Sequence, residues 1–129
     1  VTFDELRNIV ISSHEKYDIR GFILDYWQLV GGKGKSQSTA EHLDEVAQWV
    51  ADIGRKLGIW SITMAQINQE GNTRGGEGIR LAFDQLYELK REDLGLPFAS
   101  LEMMETRYTQ WKSIDGLVMH EHGQYFVEG

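Results

Sequence analysis

Residues Gly21 to Val30 read GFILDYWQLV, a short apolar run that ends in one acid. A glycine bounds the run, and tyrosine, tryptophan and glutamine follow the acid. The pattern predicts a strand buried on both faces of a parallel sheet, because such strands show no polar alternation. Open α/β sheets take their ligands outside the carboxyl ends of the strands. Asp25 is therefore placed to reach a Mg²⁺ ion or a water held on one. The plainer reading is an acid that only marks where a core strand surfaces.

Outward from this run, the pattern alternates between helix and strand. Phe3, Leu6, Ile9 and Val10 have helical spacing, which predicts a helix over Phe3 to Tyr17. Thr2 with Glu5 three residues on has the form of a capping box. Gly31 to Ser38 (GGKGKSQS) reads as a flexible loop. A second helix is expected from about Thr39 to Leu57, with Leu43, Val46, Ala47, Val50, Ile53 and Leu57 on one stripe and Gly58 as its C′ residue. Ile59 to Ala65 reads as the next buried strand, giving a βαβ unit.

Gln69 to Gly78 (QEGNTRGGEG) has no periodicity and reads as a loop. Ile79 to Phe83 suits a short helix or turn, and Gln85 to Arg91 a third strand. Asp93 to Phe98 holds the only proline and reads as a turn. Ala99 to Tyr108 and Leu117 to Val127 look like late strands joined by a loop around Lys112 to Gly116.

The 129 residues suffice for one domain with a modest core, and no second domain is evident. No run is long and apolar enough to span a bilayer, and the N-terminus has no signal-peptide pattern. The absence of cysteine removes any basis for disulfides or thiolate metal sites. A cytoplasmic location fits these features. The formal charge of −7 counts against strong nucleic-acid grip by this chain alone. The chain starts at Val1, and the motif content below suggests a fragment.

Two motifs narrow the class. The run into Asp25-Tyr26-Trp27-Gln28-Leu29, followed by Ser61 to Asn68 (SITMAQIN), resembles the second half of the RecA-like ATPase core of DnaB-type replicative DNA helicases. In that family the corresponding strands run into Asp-Tyr-Leu-Gln-Leu and Ser-Gln-Leu-Asn. Here Trp27 replaces the leucine and Ala65 the serine. The resemblance extends from about Phe3 to near the end of the chain. It implies an α/β fold, a partial RecA-like P-loop NTPase core with a mainly parallel sheet, flanking helices and late antiparallel strands.

The resemblance also implies roles. Asp25 would order the Mg²⁺ that bridges the terminal phosphates of ATP. Gln66 would hydrogen-bond a phosphate oxygen or the attacking water, and so sense the nucleotide. The loop after Gln66 would contact single-stranded DNA through Arg74, with Gly75 and Gly76 letting backbone approach the strand. Lys33 and Lys35 offer a second basic contact, although two solvated lysines is the simpler reading. Arg107 would supply an arginine finger to a neighbouring subunit of a ring. Glu105 stands where the family has a lysine two residues before that arginine. Ser100-Leu101-Glu102-Met103 echoes a catalytic-glutamate motif but falls in the wrong order, so Glu102 is given no catalytic role.

His120 and His122 share a strand face in principle, but no third metal ligand accompanies them, and a polar hairpin tip is the simpler reading. His14 and His42 lie in polar stretches and are expected at the surface. The tryptophans Trp27, Trp49, Trp60 and Trp111 are expected in core or interface.

No G-x-x-x-x-G-K-[ST] occurs, so the chain lacks an amide cradle for phosphates. ATP and Mg²⁺ are expected in an intact parent protein and not bound tightly by this chain alone, which should not hydrolyse ATP. The missing phosphate-loop strand should leave open sheet edges, favouring self-association or a rearranged sheet. Two rivals stand beside the helicase: another RecA-type ATPase, such as a recombinase or clock-type enzyme, and a non-catalytic oligomerising module.

Overall fold

A computed structural model describes residues 1–66, 78–119 and 125–127. The chain divides into two compact units, Val1–Phe83 and Asp84–Gly129, which are taken separately.

The first unit opens with helix α1 (Phe3–Tyr17). Its capping box forms as the sequence predicts: the Thr2 N–H donates to Glu5 Oε2 at 2.7 Å, and the Glu5 N–H donates to Thr2 Oγ1 at 3.2 Å. Asp18 ends the helix in the left-handed region, with its N–H on the His14 carbonyl. Strand β1 (Gly21–Leu24) follows, then a 3₁₀ turn (Trp27–Leu29). Helix α2 (Thr39–Leu57) carries a second capping box, formed by Ser38 with Glu41. Gly58 closes α2 at φ 66°, where a glycine avoids the Cβ clash. Strand β2 (Trp60–Thr63) and the short helix α3 (Gly78–Ala82) complete the unit.

β1 and β2 pair in parallel, in register from Gly21 with Trp60 to Leu24 with Thr63. The α2 crossover makes this possible, since parallel neighbours need a long connection. One interior gathers Phe3, Leu6 and Val10 of α1, Leu24, Trp27, Val30, the α2 stripe, Ile59 and Ala82. Phe3 meets the Trp49 ring edge-on at 5.8 Å.

Two expectations change here. The strands are not buried on both faces: Ile23 is 58% exposed, Trp60 54% and Ile62 52%. The interior lies on one side of the pair, and among the described residues no helix covers the other. His42 is not a surface residue. It is 4% exposed, its ring faces Phe3 edge-on, and its Nε2–H donates to the Val30 carbonyl at 2.9 Å. His42 sits one helical turn before Val46 on the buried stripe, a spacing that its polar neighbours Glu41 and Asp44 obscured.

The second unit is an antiparallel sheet in the order β3 (Gln85–Lys90), β4 (Phe98–Thr106), β5 (Ile114–Met119) and β6 (Tyr125–Val127). The chain is therefore α/β, but its described strands are mainly antiparallel, not mainly parallel. Short connections between these strands permit only hairpins. The stretch expected as one strand over Leu117 to Val127 is two, with Leu117 opposite Val127. Register shifts at Leu86/Tyr87 and Ala99/Leu101 bend the sheet.

Candidate functional site

The in-register pairing of β1 and β2 brings their carboxyl ends to one rim. Asp25 leaves β1 directly after Leu24, and Gln66 follows β2 by way of Met64 and Ala65. Both are exposed. Hydrogen bonds tie the two chain ends together. The Met64 N–H donates to the Leu24 carbonyl at 2.9 Å, and the Trp27 N–H donates to the Met64 carbonyl at 3.1 Å. Then the Gln28 side chain takes over: its Nε2 donates to the Gln66 carbonyl at 2.9 Å, and its Oε1 accepts from the Gln66 N–H at 3.3 Å. The Asp25–Tyr26 peptide is cis.

Trp27 anchors this rim, with no exposed surface. Its Nε1 and the Thr63 Oγ1 are buried without a hydrogen-bond partner among the described residues. Gln28 is the rim residue that spacing could not reveal, because it lies 38 positions from Gln66. Trp60 lies over Gly21, where any Cβ would run into the indole, so this cross-strand pair requires glycine.

Lys33 and Lys35 are exposed on the loop after the 3₁₀ turn. In that loop Gly34 and Gln37 bond each other. Arg74, Gly75, Gly76, His120 and His122 lie outside the described residues. Arg107 belongs to the second unit, just past β4, where its N–H donates to the Asp84 carbonyl at 3.0 Å. Glu102 pairs with Lys90 at 2.6 Å. That bond raises the Lys90 pKa, with help from nearby Glu88. The Thr2 backbone N–H and then its hydroxyl lower the pKa of Glu5, and the Ser38 N–H and hydroxyl do the same for Glu41.

Among the described residues no cluster of three or more His, Cys, Asp or Glu could hold a metal ion. One rim carboxylate nevertheless suits Mg²⁺ that arrives with phosphates, since that ion is commonly held by one or two carboxylates, substrate oxygens and water. Among the described residues no helix is long and apolar enough to cross a membrane.

The rim and the crossover define an α/β fold. No family model matches the chain, and no curated protein does. Among solved structures, one described as an ATPase domain superposes on 98% of this chain with a TM-score of 0.78 at 14% sequence identity. This chain covers 50% of that one, so it spans about half the length of the structure it matches. The likeness is one of fold: the chain has the architecture of about half of that structure.

Proposed function

We propose that this chain is part of a RecA-like, DnaB-type helicase core that couples ATP hydrolysis to movement on single-stranded DNA as a ring. The observation that supports this best is the shared rim, which sets an acid and an amide at the carboxyl end of adjacent parallel strands. The likeness to a solved ATPase domain supports the same class at the level of the fold. In this reading Asp25 holds Mg²⁺, which neutralises phosphate charge when nucleotide is bound. Gln66 donates or accepts a hydrogen bond at the terminal phosphate without altering the charge there. Arg107 serves a neighbouring subunit's nucleotide, and Arg74, Gly75 and Gly76, with Lys33 and Lys35, meet the DNA backbone. The chain alone carries no phosphate-loop motif and is read as inactive.

The exposed side chains of Ile23, Trp60 and Ile62 on the pair β1–β2 favour the oligomerising module as the second reading. Turnover and binding separate the two. In the intact protein carrying this segment, Asp25→Asn should lower Mg²⁺-dependent ATP turnover by about a hundredfold or more, the scale of losing one transition-state charge contact. Fluorescence anisotropy should show salt-dependent binding to a single-stranded oligonucleotide. Unchanged turnover together with no oligonucleotide binding would leave the module.

A further inference from the structure

We infer that Gln28 is the positioning residue of the rim: its side-chain amide fixes the backbone of Gln66 and so sets where the Gln66 side chain meets a ligand. The inference rests on the nucleotide-facing reading of the rim given above. A primary amide is the uncharged side-chain group that carries a donor and an acceptor side by side, as a peptide unit does. Gln28 uses both on one residue, donating to the Gln66 carbonyl and accepting from its N–H. It thus adds a rung to the β1–β2 ladder where the β1 backbone has already turned away.

The base of this clamp is rigid. Trp27, next to Gln28, is fully buried, and its own N–H and carbonyl are engaged by the Met64 carbonyl and the Val30 N–H. The far end is left free where it counts. Gln66 has both backbone groups held, while its side chain is exposed and makes no hydrogen bond among the described residues. A fixed backbone with an unused amide suits a group that must meet a phosphate at one position, since misplacement of a contact is costly. Asp25 lies three residues before Gln28 in the same turn. Any shift of Gln66 therefore pulls on the segment that carries the acid, so the two rim residues move as one.

The chemistry dictates the variants. Gln28→Ala removes both bonds. Gln28→Glu keeps an acceptor for the Gln66 N–H but sets a carboxylate against the Gln66 carbonyl. Amide hydrogen exchange of the 129-residue chain reads the clamp itself. Gln28→Ala should speed exchange at Gln66 about tenfold, the scale of one lost hydrogen bond, with Met64 unchanged. Gln28→Glu should leave that amide protected. In the intact ATPase, Gln28→Ala should lower kcat about tenfold with KM within about twofold, matching Gln66→Ala. Unchanged exchange at Gln66 overturns the inference, as does normal turnover in Gln28→Ala when Gln66→Ala is impaired. If neither Gln66→Ala nor Asp25→Asn affects turnover, the reading of the rim itself falls and takes Gln28 with it.

Discussion

In the first unit α1, β1, α2 and α3 all send side chains into one interior, from Phe3 to Ala82. In the second, Ala99, Met103 and Leu117 are the buried apolar side chains among the described residues. The first unit is held by a shared core with capped helices. The second is held by cross-strand pairing, and its β3 and β4 keep Tyr87, Leu89 and Phe98 exposed. The rim shared by Asp25 and Gln66 is built on the unit with the deeper packing. The antiparallel unit, with its two register shifts, relies on strand contacts and surface ion pairs such as Lys90–Glu102.

This contrast sets the order of the expected effects. Trp27→Ala should be the most severe, costing about 3–5 kcal/mol by emptying a fully enclosed site. Met103→Ala in the second unit should cost less, about 2 kcal/mol, because a thin sheet collapses more readily around the gap. Urea titrations of both variants measure the difference, and equal losses would break the contrast.

Acidification should separate the units more gently. Glu5 and Glu41 have lowered pKa values in the folded state, caused first by the backbone N–H groups of Thr2 and Ser38. Such a group contributes stability that is present above the ordinary carboxylate value and lost as pH falls through the lowered one. Helical circular dichroism should therefore decline at the acid end. Glu5→Gln with Glu41→Gln should flatten that decline, because glutamine also completes a capping box but does not titrate. An unaltered acid limb in the double variant would mean that the caps are not its source.

The helices and their ends were legible because capping is local: Thr2 with Glu5, and Gly58 after the α2 stripe, each act within a few residues. The order of β1 and β2, and hence the common edge of Asp25 and Gln66, followed from the apolar runs and the length of the crossover. What covers a strand was not legible. The residues Phe22 to Leu24 have the same composition whether one face or both are packed, so the exposure of Ile23 had no local signal. The bond between Gln28 and Gln66 is long-range and leaves no periodic trace. His42 did leave one, since its position relative to Val46 and Val50 is that of a buried stripe.

The burial of Trp27 gives the protein a built-in optical label. Trp60 and Trp111 face solvent, where iodide reaches and darkens them, whereas an indole sealed beneath the rim keeps its short-wavelength emission. With the half-buried Trp49 changed to phenylalanine, the light that survives the quencher comes from Trp27. It then reports on the turn joining Asp25 to Gln28, with no dye attached.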